Sequence, residues 1–341
     1  MKLVQFLRPE VGPCVGLLDG SDVIDLSAPP GAPRTVHEIY YGAGGARMGL
    51  TAAVAALAQR AAAGPRLPLG ALSGAVDGAA PRLLKPVSGP PGETHALRVW
   101  LAGVTHGDSA RLREIEAKQA TGNAVNVYEQ KYRECAAGGR PELFSKNDPD
   151  AVVAAGEAIT RPMDTQRLVP ETELVSVYGV DHQGRIERLG YTGGNDVTDN
   201  GIEAANPLNL PQAKNWAGGC ASLGPVLVTA DEFDDRVVTV SCEVFRRGTR
   251  VGAKEGQTGQ ERLNMPERLF HMERSLFSRL PMGRHELRVL YWGTPIVFAE
   301  ADLPGGVQAG DVMRLTFGGG IGVLENPVVA LQVEDQLGRL R

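Results

Sequence analysis

PETELVSVYGVDHQGRIERLGYTGGNDV, residues 170–197, continues after a short gap into NPLNLPQAKNWAGGCASLGPVLV, residues 206–228. Glu171-Thr172-Glu173 opens an extended, β-branched run. Side chains at i and i+2 of a strand share a face, roughly 6.5–7 Å apart along it, so two carboxylates there can converge on one cation. After an Asp181-His182-Gln183-Gly184 turn and a second extended run, Gly190–Asn195 leads to a third acid, Asp196. Three carboxylates with no thiol or imidazole suit a hard, oxygen-seeking ion, Mg²⁺ first and Mn²⁺ or Ca²⁺ as alternatives. An isolated Glu-x-Glu pair reads more simply as the solvated face of an edge strand. The glycine-rich approach to Asp196 and the lysine that follows, Lys214, favour the metal reading.

The motifs ExEL, GYT-x-x-NDVT and NPLxLPQxKxW-x-G-x-x-x-x-GPVLV, as they stand here, resemble the fumarylacetoacetate hydrolase superfamily, and within it the 2-keto-3-deoxy-sugar-acid dehydratases. The resemblance runs from about Trp100 to the C-terminus. It implies a β-rich α+β fold, a β-sandwich roll or barrel core (residues 93–341) behind a small N-terminal α/β domain (residues 1–92). The metal set it implies is Glu171, Glu173 and Asp196.

Working outward, composition limits the alternatives. The 341 residues are 43% hydrophobic, with 43 Gly and 23 Pro, which favours turn-rich β architecture over a helical bundle. A net charge of −5 argues against a nucleic-acid or anionic-membrane surface. The opening MKLVQFLRPE has too short an apolar run for a signal segment, and no stretch reaches the length of a membrane span. Cys14, Cys135, Cys220 and Cys242 show no metal-binding spacing and read as reduced, buried thiols. The expectation is a cytoplasmic protein; the resemblance adds a small 2-oxo acid as its partner and a homodimer or homotetramer.

Strand candidates in the N-terminal part are Lys2–Leu7, Cys14–Leu18 and Asp22–Leu26, with an Ala-rich helix over Met48–Ala63 and a boundary signal at Ser88–Gly92. The core then begins with a strand over Leu97–Val104, a helix over Ser109–Gln119 and a second over Val127–Ala136. Hydrolytic members of the superfamily carry Asn-Tyr-x-x-His-x-x-Glu after the first strand, a pair that activates water. Here those histidine and glutamate positions hold Ser109 and Leu112. His106 stands three residues early, as a candidate base or, more simply, a loop histidine.

The resemblance assigns Glu142, in RPELFSK, as the acid/base group, and Lys146 in the same segment as a substrate contact. Read bare, these are a salt-bridging acid and a surface lysine. Lys214 would stay charged beside a dication and steady carboxylate or enolate oxygens. Downstream, strands are expected at Pro225–Thr229, Val237–Phe245 and Thr249–Ala253, then a Gly256–Gln260 loop and a helix over Glu261–Leu280. The resemblance brings Gln257 and Thr258 toward the site, and makes Gly293-Thr294 the turn that holds the substrate carboxylate; a Gly-Thr pair alone reads as a plain β-turn.

The pieces imply a metal-dependent dehydratase that converts 2-dehydro-3-deoxypentonate to 2,5-dioxopentanoate and water. The alternatives are a C–C hydrolase or decarboxylase of a diketo acid on the same metal site, and a non-catalytic sugar-acid-binding protein.

Overall fold

The computed structural model describes residues 1–72, 80–89, 93, 97–107, 127–146 and 151–332. The helix expected over Ser109–Gln119, with Ser109 and Leu112, and the end of the expected boundary, Pro90–Gly92, lie outside the described residues.

The strands in chain order are β1 (Lys2–Arg8), β2 (Gly12–Asp19), β3 (Asp22–Asp25), β4 (Arg66–Pro68), β5 (Arg82–Leu83), β6 (Leu97–Gly103), β7 (Glu142–Lys146), β8 (Val152–Val153), β9 (Ile159–Arg161) and β10 (Leu168–Val169). They continue with β11 (Thr172–Val180), β12 (Ile186–Asp196), β13 (Thr198–Asp199), β14 (Ala221–Thr229), β15 (Val238–Arg246), β16 (Thr249–Thr258), β17 (Leu287–Tyr291), β18 (Asp311–Phe317) and β19 (Gly322–Ala330). The helices are α1 (Gly45–Met48), α2 (Leu50–Arg60), α3 (Val127–Ala136), α4 (Asn200–Ala205), α5 (Leu210–Lys214) and α6 (Arg268–Phe277).

The larger sheet has 12 strands in the order β4-β3-β2-β1-β14-β12-β11-β17-β6-β7, with β5 on β1 and β8 on β14. A five-stranded sheet runs β16-β15-β18-β19-β9, and β10 pairs with β13 alone. The N-terminal strands are continuous with the larger sheet, because β1 pairs with β14 at Lys2↔Val228 and Leu3↔Leu227.

Strand β11 is buried along its whole length and shows how the layers stack. Leu174 and Tyr178 enter a core shared with Cys242, Val244, Leu315 and Phe317 of the five-stranded sheet. Val175 and Val177 point the other way, into a core closed by Leu50, Ala53, Val54 and Leu57 of α2. That i, i+3, i+4, i+7 spacing is one helical face, and each large aliphatic side chain buried contributes about 1.5–3 kcal/mol.

Three expected boundaries move, for backbone reasons. The N-terminal helix is split at Gly49, whose φ of 90° lies in the left-handed region. The expected helix over Glu261–Leu280 starts only at Arg268. Pro266 pushes the residue before it out of the α region, and Glu267 and Arg268 both take positive φ, 55° and 51°. The expected Gly256–Gln260 loop is shorter, since the β15–β16 ladder continues through Val240↔Gly256 to Val238↔Thr258.

Candidate metal centre and active-site cavity

The adjacent ends of β11 and β12 build the site. Their ladder pairs Thr172 with Asn195 and Glu173 with Gly194. Just beyond it, the amide of Asp196 donates to the Glu171 carbonyl at 3.0 Å. The amide of Glu171 donates to the Asn195 side-chain oxygen, also at 3.0 Å. Thr172 faces Cys242 on the other side of the strand, which leaves Glu171 and Glu173 on one face. One oxygen from each of Glu171, Glu173 and Asp196 lies within 4.8 Å of the others, and all three residues are buried. Gly194 permits the approach: a Cβ there would sit 2.2 Å from the Tyr291 ring.

Lysines partly balance these charges. Lys214, at the C-terminal end of α5, donates to Glu171 Oε2 at 3.0 Å, Asp196 Oδ2 at 2.8 Å and Thr198 Oγ1 at 2.6 Å. Its Nζ also stands 5.4 Å from the Phe144 ring centroid. Lys146 Nζ forms an ion pair with the outer oxygen of Asp196, Oδ1, at 2.8 Å. It also donates to the carbonyls of Lys214 and Cys220.

Among the described residues, no lysine forms an ion pair with Glu173. Glu173 accepts the Gly293 amide at 2.7 Å. Burial, then Asp196 and Glu171, push its carboxyl well above the usual carboxylate range, against the opposing pull of Lys214 and the Gly293 amide. Gly293 can present that amide because it takes φ 86°, and a Cβ there would meet Thr105 Oγ1 at 2.2 Å.

Three buried carboxylates against two ammonium groups leave an acidic surplus in a site made only of oxygen donors. That chemistry fits a hard divalent cation which keeps open positions for water and substrate. The residues present therefore fit Mg²⁺.

The cavity in front of the trio is lined by Glu142, Glu171, Glu173, Asp196, Lys214, Gly293 and Thr294, all seven singled out in the sequence. Glu142 is placed by the β6–β7 ladder, opposite Gly103. A Cβ on Gly103 would lie 2.4 Å from Glu142 Oε2, so any larger residue there would make the carboxylate shift. The Thr294 hydroxyl donates to the Ile296 carbonyl at 2.8 Å and accepts its amide at 3.1 Å, which fixes the turn.

Four of the named residues, Lys146, His106, Gln257 and Thr258, are not brought to the cavity wall. Lys146 stands behind Asp196. His106 is buried, with Nε2 3.0 Å from Thr258 Oγ1 and Nδ1 2.9 Å from Thr105 Oγ1. Because the Thr105 hydroxyl donates to the Trp292 carbonyl, it accepts from His106 Nδ1, which assigns the proton to Nδ1 and makes Thr258 the donor to Nε2. Burial lowers the His106 pKa to about 3, so the ring is neutral with both nitrogens engaged.

Sequence reasoning gave no site role to other residues of the wall, among them Val104, Tyr132, Phe144 and Glu203. Phe144 sits inside the RPELFSK segment, whose alternation could have pointed to it. Val104 has φ 52°, a strained geometry for a β-branched residue that costs about 1–3 kcal/mol and clusters at functional sites. Nothing in the sequence marks that strain.

The class defined so far is a β-rich fold with few helices and a buried all-carboxylate centre that could hold a metal ion. The chain belongs to the fumarylacetoacetate (FAA) hydrolase C-terminal family, which it matches over residues 115–329. It is 34% identical over 251 residues to the 2-dehydro-3-deoxy-D-arabinonate dehydratase of Saccharolobus solfataricus, covering 72% of this chain and 74% of that one. It is 33% identical over 237 residues to a Haloferax volcanii protein named "Probable 2-keto-3-deoxyxylonate dehydratase", covering 69% and 73%. Among solved structures it resembles 2-keto-3-deoxy-D-arabinonate dehydratase complexed with magnesium and 2,5-dioxopentanoate, with 25% identity, a TM-score of 0.66, and 98% of this chain and all of that one covered. Among the described residues, no helix is long and apolar enough to cross a membrane.

Proposed function

We propose that this protein is a magnesium-dependent hydro-lyase that removes water from a 2-keto-3-deoxy sugar acid, converting 2-dehydro-3-deoxypentonate to 2,5-dioxopentanoate. The observation that carries the reading is one cavity holding the Glu171, Glu173 and Asp196 trio, the charged Lys214 and a separate carboxyl, Glu142. The dehydratase relatives support the substrate class, and the magnesium in one relative's structure supports the metal.

The roles follow from the chemistry of a 2-oxo acid. Glu171, Glu173 and Asp196 would hold Mg²⁺, which when bound acts as a Lewis acid on the 2-oxo carboxylate, an effect worth several kcal/mol. Glu142 lies outside the trio and takes a proton from C3. Lys214, already fixed by three acceptors, offers a stationary positive charge to the electron density that builds on the keto oxygen. The Gly293-Thr294 turn orients the carboxylate. Every group of the cavity lies at Ala102 or beyond, which supports residues 93–341 as the catalytic unit and 1–92 as its appendage.

Hydrolysis of a C–C bond is disfavoured. It needs a base on a water, yet the two positions that supply it in hydrolytic relatives hold Ser109 and Leu112. His106 has neither a free nitrogen nor access to the cavity.

The test is an NMR time course with Mg²⁺ on 2-keto-3-deoxy-D-arabinonate and, separately, an acylpyruvate. The expected result is loss of water from the first with its carbon skeleton intact, and no cleavage of the second. Glu171→Ala should lower kcat/KM about a thousandfold, the equivalent of about 4 kcal/mol. Cleavage of the acylpyruvate, or undiminished turnover by Glu171→Ala, would overturn the reading.

A further inference from the structure

We propose that Glu203 is a second catalytic acid/base of this cavity, serving C4 and C5 of the substrate while Glu142 serves C3. The inference rests on the dehydratase reading and extends it.

The demand comes from atom balance. Between a 2-keto-3-deoxypentonate and 2,5-dioxopentanoate, C3 is CH₂ on both sides. C4 changes from CHOH to CH₂, and C5 from CH₂OH to an aldehyde. Loss of water alone gives a 2-oxo-3-ene with the C5 hydroxyl still in place, so hydrogen must then leave C5 and return to C3. One carboxyl at C3 cannot also protonate the departing C4 hydroxyl and deprotonate C5, two atoms along the chain.

Glu203 meets that demand by position. Among the described residues lining the cavity, it is the one carboxyl besides Glu142 that lies outside the trio, and it is 6% exposed. Its helix, α4, is short and would fray alone, but its first turn is anchored. Asp199 Oδ1 accepts the Ile202 amide at 3.2 Å, and the Asn200 amide donates to the Arg167 carbonyl at 2.9 Å. The Arg167 guanidinium in turn donates to the Asn200 side-chain oxygen and, at 2.6 Å, to the Phe298 carbonyl. Arg167 therefore straps α4 to the floor of the fold and holds Glu203 on the wall.

The cycle closes on these two groups. Glu142 takes one C3 proton and the electron pair delocalises into the 2-oxo group. The pair then forms C3=C4 as C4–O breaks, and protonated Glu203 gives its proton to the leaving hydroxyl, releasing water. Glu203, now a carboxylate, takes a proton from C5; the double bond moves to C4=C5 as Glu142 returns its proton to C3. The resulting C5 enol becomes the aldehyde by gaining a proton at C4 and losing its hydroxyl proton. Both carboxyls end as they began.

The experiment separates the two ends of the substrate. Deuterium exchange at C3 of 2-oxobutanoate, which has no leaving group, is followed by NMR in D₂O with Mg²⁺, beside dehydration of 2-keto-3-deoxy-D-arabinonate. Glu203→Gln should exchange within threefold of wild type while its kcat for dehydration falls tenfold or more, since a lost acid/base group typically costs about 10²–10⁴-fold. Glu142→Gln should lose both. Calorimetric Mg²⁺ affinity of Glu203→Gln should stay within threefold of wild type. Glu203→Asp, which keeps the carboxyl, should recover more dehydration than Glu203→Ala, a comparison that stands if the Gln variant fails to fold. A fall in dehydration under tenfold, a parallel loss of exchange, weakened Mg²⁺ binding or no advantage of Asp over Ala overturns the assignment of Glu203 alone. A wild type that exchanges but never dehydrates overturns the parent reading with it.

Discussion

The β11–β12 hairpin carries two charged clusters that are built oppositely. Along its shared length, the Arg188 guanidinium donates to Glu273 Oε1 at 2.9 Å and to the Tyr191 hydroxyl at 3.0 Å. A second Arg188 nitrogen and the Tyr178 hydroxyl, the latter at 2.8 Å, also donate to Glu273 Oε1, and Tyr191 donates to Asp235. The side chains of Arg188, Glu273 and Asp235 are 29%, 12% and 16% exposed, so water finishes their solvation. At the end of the hairpin, Glu171, Glu173 and Asp196 reach almost no water, two flexible ammonium groups stand in place of a planar guanidinium, and Glu173 has one backbone amide. The first cluster is complete as it stands. The second sets three buried carboxylates against two ammonium groups, and that acidic surplus sets it apart from a structural salt bridge.

The sharpest way to break this contrast is Lys214→Met. Removing one partner of a buried charge cluster costs about 3–5 kcal/mol, here in the metal-free protein, and Mg²⁺ should recover much of it. Urea unfolding with and without Mg²⁺ measures both; a variant as stable as wild type without metal would show that the trio needs no compensation.

Glu273→Gln tests the complete cluster. Weakening hydrogen bonds to a charged group should cost about 1.5–3 kcal/mol, reduced by the partial exposure of Arg188, with Mg²⁺ affinity by calorimetry unchanged within twofold. A large change in metal affinity would join two clusters that the geometry keeps apart.

The smallest effect, at mildly acidic pH, belongs to His106. Its folded pKa of about 3 lies below the ordinary 6.5, so the unfolded chain binds the extra proton first as pH falls. Its contribution is therefore complete above about 6.5 and is lost progressively down to about 3, with about 1 kcal/mol gone by pH 5.5. In His106→Gln the acid limb of the stability curve should be shallower by that amount. An unchanged limb would mean that the ring titrates as an exposed histidine does.

The trio was legible because its parts are local: two acids at i and i+2 of one strand and a third on the strand paired with it. Glu142, Gly293 and Thr294 were reached only through motif resemblance, since nothing in a bare Gly-Thr pair foretells an amide aimed at Glu173. Burial was the information missing elsewhere. It turns His106 from a candidate base into a neutral spacer between two threonines, and carries Lys146 behind Asp196. Glu203 and Tyr132 stayed hidden because their wall is made by helices docking across the fold, where no local spacing gives a sign.

The order in which the chain is synthesised also matters for this centre. The three acids lie on one hairpin and can meet as soon as that hairpin forms. Their cover comes later: Lys214 follows the hairpin, and Gly293 is delivered by β17, whose parallel pairing joins Leu287 to Leu97 and must close a very long loop. The three carboxylates can thus come together before the strand that shapes the cavity exists.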